Sequence, residues 1–108
     1  MKTVRIMLDF MQGPIWFSDF DTGKPQTGIP VIDEDKELRS INYEMQDMFS
    51  SYYSFDADGK SCVFDFEREH ADKERMLELL SRLLSRLDEI NDGSFVVDDR
   101  ETERLRAL

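Results

Sequence analysis

Hydrophobic and polar positions alternate near the start of the chain. Between Thr3 and Phe10, Val4, Ile6, Leu8 and Phe10 fall on one face, and Thr3, Arg5 and Asp9 on the other. A period of two predicts a half-buried strand. Gly13-Pro14 interrupts the pattern. Ile15 to Phe20 then predicts a second short strand, returning as a hairpin. Residues 21 to 30 carry two Gly and two Pro and read as a loop. Its length exceeds most connections, which points to a mobile or functional segment.

The period then becomes helical. Asp33 is placed to cap a helix whose first turn holds Glu34, Asp35 and Glu37, the sign that suits the positive end of a helix dipole. Leu38, Ile41, Met45, Met48, Phe49 and Tyr52 form its apolar stripe, and the helix should stop near Tyr53. Asp56-Ala57-Asp58-Gly59 is a turn signal. Ser61 to Glu67 predicts a third strand, with Cys62, Phe64 and Phe66 on its apolar face. A second helix runs from about Ala71 to Ile90 on the stripe Met76, Leu77, Leu80, Leu83, Leu84, Leu87 and Ile90. Asn91-Asp92-Gly93 ends it. Phe95-Val96-Val97 is a short fourth strand, and Asp98 or Asp99 caps a last short helix reaching Leu105 and Leu108. The order β-β-α-β-α-β-α predicts one α+β domain over residues 1–108. It should hold a small, mostly antiparallel sheet of about four strands. Two main amphipathic helices should pack on one face, with a short C-terminal helix.

Charge narrows the function classes. The 108 residues carry 24 acidic and 14 basic side chains, a net charge of −10. That field repels phosphate backbones and anionic membranes, and it attracts basic partners. Neither direct nucleic-acid binding nor membrane association is expected. The apolar run at the N-terminus is interrupted by Arg5 and Asp9, unlike the core of a signal peptide. A lone cysteine, Cys62, makes no internal disulfide and suits a reducing compartment, here read as cytoplasmic.

Candidate catalytic and metal motifs each have a simpler reading. Asp21-Thr22-Gly23 matches the core triplet of aspartic proteases, whose chemistry needs two carboxylates sharing a proton. No second triplet exists, and Asp and Gly are ordinary turn residues. Asp56-x-Asp58-Gly59 resembles part of a calcium loop, but its Gly falls too early. Cys62 sits on an apolar face, and His70, the one histidine, stands just before a helix as a surface residue. The Met45 and Met48 stripe reads as core rather than as an adaptable groove. No catalytic residue, cofactor or metal is expected.

Two acidic stretches remain. Asp19 to Asp58 holds ten acids against Lys24, Lys36 and Arg39, and Asp88 to Glu103 holds seven against Arg100. They are either solvated helix ends or an interface for a basic protein, steered by charge and anchored by aromatic residues such as Trp16, Tyr52 and Tyr53.

Gln12-Gly13-Pro14-Ile15-Trp16 and Ile90-Asn91-Asp92-Gly93-Ser94-Phe95-Val96-Val97 resemble stretches of bacterial toxin-immunity proteins, of the kind encoded beside contact-dependent growth inhibition toxins. The resemblance implies tight cytoplasmic binding of a cognate toxin C-terminal domain and occlusion of its active site. Many such toxins are nucleases with basic clefts. Under that expectation Asp33, Glu34, Asp35, Asp56, Asp58, Asp98, Asp99 and Glu101 supply charge, and Trp16 and Tyr53 supply anchors. The alternatives are an acidic adaptor or regulatory subunit, with a homodimer through an open sheet edge as one form, and an enzyme with an unrecognised carboxylate site. The oligomeric state, the toxin and its mode of inhibition stay open at this level.

Overall fold

A computed structural model describes residues 1–55, 59 and 62–108. The described elements are β1 (Lys2–Ile6), α1 (Pro30–Asp33), α2 (Lys36–Ser50), β2 (Tyr53–Phe55), β3 (Cys62–Phe64), α3 (Phe66–Ala71), α4 (Lys73–Ile90), β4 (Phe95–Asp99) and α5 (Thr102–Arg106). The mixture of α and β structure is as expected. The four-stranded, mostly antiparallel sheet is not what forms. β1 pairs with β4 in parallel, Lys2 opposite Phe95 through Ile6 opposite Asp99, and β2 pairs with β3 as a separate antiparallel hairpin. A parallel pair needs a long crossover, and here the helices supply it.

The expected second strand is replaced by a tethered loop. Met7 N–H donates to Pro14 O at 2.9 Å and Trp16 N–H to Arg5 O at 3.0 Å, but the return along the first strand makes only isolated bridges, Ile6 with Ile15 and Asp9 with Gln12, and Ser18 bridges to Pro25 instead. The backbone groups that a ladder would have used are taken by α2. Asn42 is fully buried. Its Oδ1 accepts from Ile15 N–H at 3.0 Å, and its Nδ2 donates to Ser18 Oγ at 2.7 Å and Gly23 O at 2.9 Å. One turn on, Gln46 Nε2 donates to Phe20 O at 2.7 Å. Residues four apart share a helix face, so two amides form a polar notch inside an otherwise apolar stripe. Gly13 is required there: a Cβ would lie 2.4 Å from Asn42 Nδ2.

The helix stripes match the expected cores. Leu38, Ile41, Met45 and Phe49 of α2 are buried, as are Met76, Leu80, Leu83 and Leu87 of α4. Met45 belongs to the core, and Met48 packs against it half-buried. Leu79 takes the buried place that periodicity assigned to Leu77, which is half-buried with Leu84 and Ile90. The helix starts shift. The cap of α2 is Asp35, whose side chain accepts from Leu38 N–H at 2.9 Å. Asp33 closes α1 and binds the 21–30 loop through Thr27 N–H at 2.9 Å, Thr27 Oγ1 at 2.7 Å and Gly28 N–H at 2.9 Å. The expected strand from Ser61 to Glu67 stops at Phe64, because Asp65 caps α3 by accepting from Arg68 N–H at 3.0 Å. Cys62 is exposed, not buried as its strand face suggested: it pairs with the exposed Phe55 at the far end of the hairpin.

Asp35 also joins α2 to α4. Its side chain is 8% exposed and accepts from Arg86 NH2 at 2.6 Å and Nε at 3.0 Å. Burial opposes the charged form of Asp35, but hydrogen bonds from Arg86 and Leu38 N–H outweigh it and hold the carboxyl below its ordinary 3.8. The folded value lies below the unfolded one. This contribution to stability is therefore complete above about pH 4 and is lost as pH falls through the folded value. Asp35→Ala should cost about 1–3 kcal/mol from the lost cap and ion pair. In urea titrations its deficit relative to the parent should be present at pH 7 and shrink on acidification. A deficit unchanged down to pH 2.5 would contradict the clamp.

Candidate functional site

The β2–β3 hairpin builds an aromatic row. Its register sets Tyr53 opposite Phe64 and Phe55 opposite Cys62. Side chains alternate along a strand, so Tyr53, Phe55 and Phe64 share one face. Phe10, at the end of the segment leaving β1, lies against that face at 4.8 Å from Tyr53 and 5.6 Å from Phe55, between ring centroids. Tyr53 is 4.9 Å from Phe64, and Phe64 is 4.8 Å from Phe66 at the start of α3. Buried Phe49 lies beneath, 5.5 Å from Phe64 and 5.8 Å from Tyr53. The five rings run Phe55, Phe10, Tyr53, Phe64, Phe66. The two ends of the row are open, with Phe55 53% and Phe66 73% exposed. Val63, on the other hairpin face, is also exposed. Exposed aromatic rings packed in a row on a rigid base are the residue type that anchors protein interfaces.

A buried ion network fixes the row from below. Glu101 is 2% exposed and Glu69 is 3% exposed. Arg104 bridges them, with Nε at 2.6 Å from Glu101 Oε2 and NH1 at 3.0 Å from Glu69 Oε2. The second oxygen of Glu101 accepts from Leu8 N–H at 2.8 Å, which sets the exit of β1 and so the place of Phe10. Arg104 also lies over the Phe49 ring at 5.9 Å. Burial alone would lower the Arg104 pKa; the hydrogen bonds and charges of Glu101 and Glu69 outweigh it and raise it. Next to the row, Tyr52 donates to Asp72 Oδ2 at 2.9 Å and stacks under Arg68. Burial, then the bond to Asp72, raises its phenol well above the usual range. Burial, then the Asp9 charge, raises Tyr53 as well, so both phenols stay protonated donors at neutral pH. Asp9, Asp65 and Glu67, each next in sequence to a ring of the row, are exposed, as is Arg68.

The expected binding residues divide into three groups. Asp33, Asp35, Asp99 and Glu101 are engaged in hydrogen bonds within the chain. Asp99 accepts from Glu101 N–H at 2.9 Å and Thr102 N–H at 3.1 Å, with the Thr102 hydroxyl closer still. Burial opposes its ionisation, but these bonds hold its carboxyl below 3.8. Glu101 is removed from the surface altogether. Glu34 is exposed, 3.7 Å from Lys24, and Asp98 is half-buried beside Arg100 at 2.9 Å. Trp16 is half-buried beside β1. Its Nε1 donates to Met7 O at 2.8 Å, and Arg5 lies over its ring at 5.4 Å. Tyr53 stands at the centre of the row. Asp56 and Asp58, with the turn and calcium-loop readings placed on them, lie outside the described residues. Sequence reading missed Phe10, Phe55, Phe64 and Phe66 as a unit. The available signal was five aromatic residues within Tyr52 to Phe66.

The other motifs take their simpler reading. Thr22 N–H and Oγ1 both bond to Asp19 Oδ2, at 3.1 and 2.6 Å, and Gly23 follows with φ of 73°, so Asp21-Thr22-Gly23 is a turn. His70 is exposed at the end of α3. Among the described residues, no group of three or more His, Cys, Asp or Glu side chains is placed to hold a metal ion. No described helix is long and apolar enough to cross a membrane.

Arg104→Ala should destabilise the chain by about 2–3 kcal/mol, because it strands two buried carboxylates; the half-exposed arginine keeps the loss toward the lower end. Adding Glu69→Gln and Glu101→Gln to that variant should restore part of the loss in urea unfolding at pH 7. A triple variant less stable than Arg104→Ala alone would contradict the network.

Comparison with protein-family models, with curated proteins and with solved structures finds no match to this chain.

Proposed function

We propose that this chain is an immunity protein: it binds a cognate toxin domain in the cytoplasm and covers a basic active site. The observation that carries the reading is the aromatic row from Phe55 to Phe66, open at both ends on a chain of net charge −10. Rings of this kind supply contact area at low entropic cost, and an acidic surround speeds encounter with a basic partner. The partner that fits is a domain whose own cleft is built for phosphates, such as a nuclease. The resemblance of residues 12–16 and 90–97 to immunity proteins points the same way. An acidic adaptor or regulatory subunit would use the same surface, and rescue of growth separates the two.

In this reading Tyr53 is the central anchor, with Phe55 and Phe66 flanking it. Asp9, Glu67 and Glu34 steer the approach. Trp16 and Asp98, both half-buried, offer further contact. Asp33, Asp35, Asp99 and Glu101 act by holding the scaffold.

The test is co-expression with the toxin domain encoded immediately upstream, followed by growth rescue and a binding measurement. The parent chain should rescue growth and bind tightly. Phe55→Ala with Phe66→Ala should weaken binding at least tenfold, while changing stability by no more than about 0.5 kcal/mol for each exposed site. Glu34→Gln with Glu67→Gln should slow association and flatten its salt dependence. Binding that survives the loss of both rings would remove the row from the interface. A toxin domain that neither binds nor is neutralised would overturn the immunity reading.

A further inference from the structure

The outer edge of β4 has backbone groups with no partner among the described residues. The register with β1, together with Lys2 N–H donating to Ser94 O at 3.2 Å and Arg100 N–H to Ile6 O at 3.0 Å, decides which groups face inward. In a parallel ladder alternate residues bond to the same neighbour. The amides of Val96, Asp98 and Arg100 therefore face β1, and those of Phe95, Val97 and Asp99 face away. Asn91 Nδ2 occupies Phe95 O at 3.1 Å. No described residue pairs with the N–H of Val97, the C=O of Val97 or the N–H of Asp99. Such an edge is a template for another strand.

A groove runs beside this edge. An open depression of about 360 Å³ lies between Leu84 and Asp88 of α4, Asn91, and Phe95 to Val97 of β4. Leu84 continues into an adjoining space of about 320 Å³ that reaches Thr102 and Arg106. The floor is apolar, with Leu84 and Val97 half-buried along it.

Charge selects the occupant. Asp88 lies in the last turn of α4, which has no basic residue, and no described cation pairs with its exposed carboxylate. A carboxylate there faces the partial negative charge of the helix carbonyls, an unfavourable position that a cation would relieve. A second copy of this chain would bring another net charge of −10 against the same edge. The edge thus suits a basic segment and disfavours self-pairing.

We propose that the free edge of β4 accepts an extended strand from a protein partner. Alternate apolar side chains of that strand enter the groove over Leu84 and Val97, and a Lys or Arg at its end meets Asp88. This rests on the protein-binding reading above and adds to the aromatic row a contact made by main-chain hydrogen bonds.

The probe is the synthetic peptide Lys-Val-Thr-Val-Thr-Val-Lys, with a Glu-ended version as control, added to the full chain. Amide exchange is read residue by residue by NMR. The basic peptide should slow exchange at Val97 and Asp99 at least tenfold, with little change at Val96, whose amide already faces β1. Val97→Pro removes an N–H that the β1 ladder does not use and puts a ring on the edge. It should weaken peptide binding at least tenfold while the β1 amides stay protected. Should Val97→Pro unfold the chain, Asp88→Asn serves instead and should weaken the basic peptide about three- to fivefold. No protection at Val97 and Asp99 with millimolar peptide would overturn strand addition, as would undiminished binding to a folded Val97→Pro chain. Equal protection by the Glu-ended peptide would overturn the basic occupant. Protection of the edge without toxin binding would overturn the immunity reading alone. Toxin binding without edge protection would overturn the strand-addition proposal alone.

Discussion

Arg104 is the residue on which the surface architecture turns. One guanidinium satisfies two carboxylates that are otherwise almost wholly out of water, and it lies over Phe49. Leaving two buried carboxylates without their cation is strongly destabilising, so the positions of α3 and α5 are coupled through this side chain. Glu101 extends the coupling to the backbone of Leu8, and thereby to Phe10. A two-stranded ribbon as short as β2–β3 is marginal by itself. Its faces are held because Phe49 below and Phe10 beside it are fixed by the same network.

The acidity of the chain has two separate uses. Some carboxylates build the fold: Asp35 caps α2 and binds Arg86, Asp33 holds the 21–30 loop, Asp65 caps α3, and Asp99 orders the approach to α5. Each is bonded to backbone N–H groups at a helix start or turn, where a negative charge is favoured. Others, including Asp9, Glu34 and Glu67, are exposed and give the surface its sign. A binding model that treats all 24 acids as one field would miss this division.

Periodicity made the long elements legible. The stripes of α2 and α4 and the alternation of β1 follow directly from apolar spacing, because burial of one face is what stabilises them. Sheet topology was not legible. Nothing local in Phe95-Val96-Val97 says that it pairs in parallel with Val4 across most of the chain. Ile15 to Phe20 carries a strand composition, yet Asn42 and Gln46 take its backbone bonds, a tertiary effect that strand propensity does not contain. Cap identity slipped by two residues at α2, since Asp33 and Asp35 are both competent caps and the choice depends on Arg86 from α4. Of the site, Tyr53 and Trp16 stood out by residue type. The row did not, because it needs Phe10 beside a hairpin that forms only in the folded chain.

The central claim is that the partner is held on the rings of β2, β3 and α3. Hydrogen–deuterium exchange of the chain, alone and bound to the toxin domain proposed as its partner, tests it most directly. The account predicts protection in the complex across residues 8–12, 53–55 and 62–69, with α4 unchanged. A stable complex in which those segments exchange as fast as in the free chain would contradict it.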